Sequence, residues 1–245
     1  MDATHVLLIA SSFVLAGFVK GMTGLGLPTV AVGLLGLMMA PAQAVALLLV
    51  PSLATNLWQL AAGGNLVALL QRLWPMLLGI CAGTAAGTAL GLHGGADAGF
   101  LLGLALIGYA ALGLSRVRLA LGARVEDWLA PLAGACTGAV TAATGVFVIP
   151  AVPYLQALGL DKDELVQALG LSFTVSTLAI GVALIGNGAF AMPQVLASSA
   201  ALVPAGIGMF VGQRLRARVP AHIFRTCFFL ALLLLGAHLA LKPLL

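Results

Sequence analysis

The sequence predicts an all-α protein that crosses a membrane several times and is built from two inverted repeats. Only 7% of its 245 residues are charged and 62% are hydrophobic, with a mean hydropathy of +1.15, whereas about 25% of the residues of a soluble domain are charged. Apolar blocks long enough to span a bilayer recur along the chain. Each repeat is expected to hold a broken or re-entrant helical hairpin followed by three transmembrane helices.

Composition and patterning exclude other classes of protein. An outer-membrane barrel needs strands of alternating polarity, and that alternation is absent. The net charge of +4 comes from basic residues in short connections, where such residues set topology, so no nucleic-acid partner is expected. Cys81, Cys136 and Cys227 lie far apart in apolar blocks, which predicts small buried side chains. No metal-ligand cluster and no cofactor motif is present.

Eight apolar blocks follow one another along the chain. They cover residues 4–39, 42–62, 73–92, 97–115, 127–158, 165–186, 194–213 and 222–241. The first and the fifth are too long for one crossing, and glycine and threonine interrupt each near its middle. Because glycine leaves helical geometry readily, we predict that each broken block is either a re-entrant hairpin or two short crossing helices.

The two halves of the chain resemble each other. The segment "LAGFVKGMTG" from Leu15 matches "LAGACTGAVT" from Leu132, and "VPSLATN" from Val50 aligns with "GLSFTVS" from Gly170 at an offset of 120 residues. A shared order of broken block, polar-faced helix and glycine-rich helix indicates duplication. We predict a first transmembrane repeat over 1–115, a cytoplasmic linker over 116–126 and a second transmembrane repeat over 127–245.

Two arginine-rich connections predict the topology. The first lies between the fourth and fifth blocks and the second between the seventh and eighth; they contain Arg116, Arg118 and Arg124, and Arg214, Arg216, Arg218 and Arg225. Both are expected in the cytoplasm, so an even number of crossings separates them and each half makes an odd number. The halves are then inverted relative to each other, as in many transporters. On the same side, Asp161 and Glu164 have the spacing of an N-cap and its N3 residue.

Two longer segments carry a family resemblance. "GFVKGMTGLGLPTVAVGLL" near the N-terminus and "GACTGAVTAATGVFVIPAVPYL" near the middle resemble the TauE/SafE sulfite exporter family over nearly the whole chain. The most specific part is Lys20-Gly21-x-Thr23-Gly24-x-Gly26. The second half matches at Gly134, Gly138, Thr144, Gly145, Pro150 and Pro153. The resemblance implies a secondary transporter of small sulfur-containing anions in the bacterial inner membrane.

Lys20 is the charged residue that lies well inside an apolar block. A charge placed within a membrane costs about 3 kcal/mol on insertion scales, which favours a functional role such as attraction of an anion. The alternative is that Lys20 lies near a helix end and extends its ammonium group to the membrane surface.

The two breaks are candidate substrate-binding segments. Where a helix restarts after a glycine, free backbone N–H groups and the positive end of the helix dipole attract anions, and threonine hydroxyls add donors. The candidates in these segments are Gly21, Thr23 and Gly24 in the first break and Thr141, Thr144 and Gly145 in the second. The alternative is that these small residues serve tight helix packing.

Polar residues form matching stripes on the second and sixth blocks. Ser52, Asn56 and Gln59 share one helix face, and Ser172 and Ser176 share another. We expect both stripes to line one central site between the repeats, where neutral donors would bind an oxyanion and still release it. The alternative is hydrogen bonding between helices.

These observations predict an alternating-access secondary transporter, with export as the expected direction, for an anion such as sulfite or an organosulfonate. A passive anion channel would use the same residues and is the alternative. The expected partners are the anion and the lipid bilayer, while a proton or other coupling ion and a homodimer are left open. No enzyme is expected, because no catalytic motif such as HExxH or GxSxG is present.

Overall fold

The computed structural model describes residues 3–92, 97–115, 122–216 and 218–242, and all regular elements in these ranges are helices. They are α1 Ala3–Thr23, α2 Leu27–Leu35, α3 Pro41–Ala61, α4 Leu66–Ala89, α5 Ala98–Leu114, α6 Ala123–Thr144, α7 Ala151–Ala157, α8 Lys162–Gly186, α9 Met192–Leu215 and α10 Ala221–Leu241. Arg116, Arg118 and the side chain of Arg124, on which the predicted topology partly rests, lie outside the described part. Helix α6 begins within the predicted linker.

The helices are those of a polytopic membrane protein. Six of the described helices are long and apolar enough to cross a bilayer, namely α1, α3, α4, α8, α9 and α10, the last from His222 onward. Large apolar side chains cover their outer surfaces; Leu234 and Val182, for example, are 73% and 70% exposed. Lipid tails accept such a surface, whereas water does not. The predicted class of an all-α polytopic membrane protein is confirmed.

The three cysteines lie on this outer surface. Cys81, Cys136 and Cys227 are exposed, so the prediction that they are buried was wrong. An apolar helix carries apolar residues both on its packed side and on its lipid-facing side, and composition alone cannot distinguish the two sides.

Each broken block consists of one long helix and one short helix. Helix α1 has 21 residues and α2 has nine, and α6 has 22 and α7 has seven. Twenty-one residues measure about 31 Å, so α1 is long enough to span a bilayer alone and is not one of two short crossing helices. The chain turns at Gly24 and Gly145, whose φ angles are 78° and 74°, a conformation that glycine adopts at little cost.

The first helix of each half packs on the fourth helix of the other half. Methyl groups added at Gly17 and Gly21 would overlap the carbonyl groups of Ala205 and Met209, respectively. Both residue numbers rise together, so α1 and α9 run parallel at a separation that only glycine permits.

Helices α6 and α4 make the same contact. Methyl groups added at Gly134 and Gly138 would overlap the carbonyl groups of Met76 and Ile80. The glycines of α6 lie 117 positions after those of α1 (17 to 134, 21 to 138). The residues that they contact are also related by a constant shift, because those on α9 lie 129 positions after those on α4 (76 to 205, 80 to 209). The internal similarity found in the sequence therefore has a counterpart in the packing.

Helices α3 and α8 cross at the centre and run antiparallel. A methyl group added at Gly170 would lie 3.0 Å from the amide nitrogen of Leu60, and one at Gly181 would lie 3.7 Å from Cδ2 of Leu49. Gly170 is 121 positions after Leu49 and Gly181 is 121 positions after Leu60, so the two contacts are equivalent under a shift of 121 residues.

The offset of 120 residues taken from the sequence was therefore wrong by one. With a shift of 121, Asn56 corresponds to Thr177 and not to Ser176. One residue turns a helical side chain by about 100°, so the serine stripe of α8 faces a different direction from the polar stripe of α3.

One end of the helix bundle collects basic side chains. Arg72 Nε donates to Glu126 Oε1 at 2.6 Å between the starts of α4 and α6, and Arg225 Nη2 donates to the Gly113 carbonyl at 2.7 Å between α10 and α5. Helix α8 also starts at this end, with the capping box of Asp161 and Glu164 that its sequence predicts. We call this end the arginine face.

Two glycines of α9 test the close packing. We expect Gly208→Leu to destabilise the protein by about 1–3 kcal/mol, because a side chain there would overlap the carbonyl of Val14. Gly206→Leu is the matched control, since nothing lies within 4 Å of a methyl group at Gly206. Thermal unfolding in detergent measures both, and equal midpoints for the two variants would contradict the packing described for α1 and α9.

Candidate functional site

Lys20 is buried near the end of α1 and bonds to α3. Its side chain is 3% exposed, and its ammonium group donates a hydrogen bond to Oδ1 of Asn56. An ammonium group has three N–H donors, and the partner is a neutral amide. The charge is therefore uncompensated within the described residues, a costly state in an apolar interior.

A chain of hydrogen bonds leads from Lys20 toward the middle of α3. Asn56 Nδ2 donates to Ser52 Oγ at 3.1 Å, and Ser52 Oγ lies 3.1 Å from Oγ1 of Thr177 on α8. Thr177 donates to the Phe173 carbonyl at 2.7 Å, so Ser52 donates to Thr177 and all four polar groups donate in one direction. We call Lys20, Asn56, Ser52 and Thr177 the Lys20 network.

The predicted polar stripe of α3 holds the first break in two places. Besides the bond from Lys20 to Asn56, Gln59 Nε2 donates to the Gly24 carbonyl at 2.6 Å. The polar stripe of α3 therefore lies beside the first break. Gly21 lies on the other side of α1, where it packs on α9.

The two breaks have the same local geometry. The hydroxyl of Thr23 donates to the Val19 carbonyl and accepts from the amide of Leu25, at 2.9 and 3.1 Å. Thr144 likewise donates to Val140, and its hydroxyl accepts from Val146, at 2.7 and 3.1 Å. The hydroxyl of Thr141 donates to the Thr137 carbonyl at 2.7 Å. In this structure the three hydroxyls therefore satisfy the backbone near the breaks.

The breaks lie at opposite ends of α3. Gly24 contacts Gln59, whereas a methyl group at Gly145 would overlap a methyl of Val45. Fourteen residues along a helix separate Gln59 from Val45, about 21 Å. In this conformation the two breaks therefore do not share one site, because each lies at a different end of α3.

A narrow cleft lies at the second break. Its walls come from α3, α6 and α8 and include Pro41, Val45, Thr141, Thr144, Gly145, Ile180 and Leu184. It has room for about one water molecule. We call it the second-break cleft.

The two halves differ in the chemistry of these positions. The counterpart of Lys20 is Thr137 under the shift of 117 residues, and the counterpart of Gln59 is Ile180 under the shift of 121. Lys20 and Gln59, which hold the first break, therefore correspond to a threonine and an isoleucine in the second half. The candidate site is asymmetric for this reason.

Ser172 and Ser176 are fully buried, and their hydroxyls make no hydrogen bond within the described residues. They do not join the Lys20 network. A buried hydroxyl without a partner costs about 1–3 kcal/mol, so each position is either unfavourable for stability or free to bind a ligand.

The variants Ser172→Ala and Ser176→Ala separate these two roles. We expect each to stabilise the protein by about 1 kcal/mol, because removing an unpaired buried hydroxyl removes its desolvation cost. Ser198→Ala is the control and should destabilise it, since Ser198 donates to the Leu47 carbonyl and accepts from the Val50 amide. Thermal midpoints report stability, and a loss of transport without a loss of stability would assign the serines to the substrate path.

Sequence reasoning missed two buried polar residues of α8. Thr177 completes the Lys20 network, and Gln167 bonds both to the Leu60 carbonyl and to the amide of Asn65, at 2.9 and 3.0 Å. Pro41, a proline suited to the first helical position, and the predicted N-cap Asp161 are the sequence signals for helix starts at 41 and 162. They indicate the shift of 121 residues under which Thr177 corresponds to Asn56.

Comparison with known proteins identifies a family. The family described as Sulfite exporter TauE/SafE matches residues 9–239. No curated protein and no solved structure matches the chain.

Proposed function

The chain belongs to the sulfite exporter TauE/SafE family, and we propose that it exports a small sulfur-containing anion, such as sulfite or an organosulfonate, across the bacterial inner membrane by alternating access. In this proposal it is a carrier and performs no catalytic step. The arginine face is cytoplasmic, as the distribution of basic residues suggests.

Lys20 is the observation that carries the proposal. Its charge is buried with a neutral hydrogen-bond partner, so an anion entering the site would supply the missing opposite charge. An anionic acceptor adds the attraction between opposite charges to the hydrogen bond that the neutral Asn56 already accepts. A small oxyanion therefore displaces Asn56 from the ammonium group and binds in its place.

The rest of the network suits binding that must be reversed. Once released from Lys20, Asn56 still offers its amide N–H, and the hydroxyls of Ser52 and Thr177 rotate to donate to the anion. These neutral donors add orientation without a second full charge. Conduction and transport both require binding weak enough for release.

Helix directions support alternating access. Helices α3 and α8, which correspond to each other in the two halves, run antiparallel, and so do α5 and α10, in which Gly103 contacts Ala240 and Gly113 contacts Phe229. Inverted halves can exchange conformations so that one site faces each side in turn. The buried Lys20 network corresponds to an occluded stage of such a cycle.

Reconstituted protein tests the proposal. We expect proteoliposomes to release preloaded sulfite or an organosulfonate such as taurine or sulfoacetate faster than protein-free liposomes, in a saturable manner. A panel that includes sulfate and thiosulfate ranks the substrates. Absence of flux for every sulfur-containing anion in correctly folded protein would refute the proposal.

A passive anion channel is the alternative function, and trans-stimulation discriminates it. Substrate on the far side of the membrane accelerates a carrier, because the loaded carrier returns without an empty step. A channel shows no such acceleration and carries current far above carrier turnover. We expect acceleration.

A further inference from the structure

The Lys20 network and the second-break cleft lie on the same two helix faces. Ser52 and Val45 are seven residues apart on α3, and Thr177 and Leu184 are seven residues apart on α8, so each pair is stacked along one face. Seven residues measure about 10 Å. The line from Lys20 through Ser52 and Thr177 therefore continues to the cleft along the seam between α3 and α8.

Apolar side chains close this line between the network and the cleft. Val45, Ile180 and Leu184 are 3%, 3% and 2% exposed, and Leu49 packs against the position of Gly181. At Gly145 the backbone approaches Val45 too closely for any side chain.

The opposite end of the seam is closed by polar groups. Gln167 joins α8 to the end of α3 through the Leu60 carbonyl, Asn65 donates to Glu164 Oε1 at 3.0 Å, and Arg72 also donates to the Leu158 carbonyl at 3.2 Å. The two ends of the seam therefore differ in the kind of contact that must break when the protein opens.

We propose that the second-break cleft is the outer end of the translocation pathway and that Val45, Ile180 and Leu184 form an apolar gate there. The inference rests on the proposed function for its cargo, a small hydrated anion. An apolar constriction excludes water and so blocks an ion without any charged group. When α6 moves away from α3 at Gly145, water enters the gate, and the anion leaves past a lining in which none of the described residues is charged.

Cysteine accessibility tests the gate. In a background with Cys81, Cys136 and Cys227 replaced by alanine, Leu184→Cys and Val45→Cys are treated from outside, in spheroplasts, with a membrane-impermeant sulfonate-bearing methanethiosulfonate. The matched control is Ile185→Cys, whose side chain is 60% exposed on the lipid side of the same helix. A thiol reacts as its thiolate, which needs water.

We expect Leu184→Cys to react about tenfold faster or more than Ile185→Cys, because only a thiol that water reaches ionises. The expected order of reaction rates is the reverse of the order of exposure in the closed structure, in which Leu184 is buried and Ile185 is exposed. Thr141→Cys, a small change in the same cleft, keeps the test valid if a gate variant fails to fold. Absence of labelling at all three cleft positions, or labelling from the cytoplasmic side alone, would overturn the proposal.

Anion flux in the same variants separates this inference from the proposed function. If anion flux depends on Lys20 but the cleft is not labelled, the gate is refuted and the proposed transport function stands. Labelling of the cleft without flux of any sulfur-containing anion supports the pathway and refutes the proposed substrate class.

Discussion

Replacing Lys20 with methionine is expected to lower the rate of sulfur-anion transport by about 10- to 100-fold. A hydrogen bond to a charged group contributes about 1.5–3 kcal/mol, which corresponds to that range at about 1.4 kcal/mol per tenfold change. Methionine keeps the length of the side chain and removes its charge. Initial rates in proteoliposomes at subsaturating substrate measure the effect.

The folded state should survive this substitution. Because Lys20→Met removes a buried charge with a cost of about 3 kcal/mol on insertion scales, the thermal midpoint should rise or stay unchanged. The matched control is Lys162→Met, whose lysine is exposed at the start of α8 and should leave transport unchanged. Full transport by Lys20→Met would remove Lys20 from the site.

Replacing Asn56 with aspartate is expected to stabilise the protein and to abolish transport. The carboxylate would lie where the amide oxygen now accepts the bond from Lys20 and would give the ammonium group a permanent counter-charge. A substrate anion would then meet a neutral pair and an added negative charge. Thermal unfolding and initial transport rates measure the two effects, which run in opposite directions.

A double-variant cycle distinguishes pairing from other effects of this aspartate. In Lys20→Met with Asn56→Asp, the carboxylate is buried without a counter-charge, so the stabilisation should turn into destabilisation. A thermal midpoint that rises equally with and without Lys20 would show that the two side chains do not interact as described.

Sequence patterns were informative where chemistry changes abruptly along the chain. Lys20 is conspicuous among apolar residues, the glycines at both breaks carry the left-handed turns, and the stripe of Ser52, Asn56 and Gln59 lies beside the first break. A charge, a turn glycine and a polar helix face are each costly within an apolar helix, so the residue types at these positions are conspicuous in the sequence.

Sequence patterns were uninformative where only register or distance decides the outcome. Asn56 corresponds to Thr177 under a shift of 121 residues and to Ser176 under a shift of 120. Both shifts align apolar residues with apolar residues, so the sequence pattern does not distinguish them. The separation of Gly24 from Gly145 depends on which end of α3 each break contacts. Cys81, Cys136 and Cys227 illustrate the same limit, since packed and lipid-facing surfaces are equally apolar.

Counterflow of radiolabelled sulfite tests the central claim most directly, that the buried charge of Lys20 forms the anion site of a carrier. Proteoliposomes loaded with unlabelled sulfite are diluted, under anaerobic conditions, into a trace of labelled sulfite. The wild-type protein should accumulate label transiently above equilibrium, and Lys20→Met should accumulate it about 10- to 100-fold more slowly. Equal initial rates of accumulation by both proteins would contradict the role of Lys20. Rapid equilibration of label by the wild type without any transient accumulation would contradict the carrier.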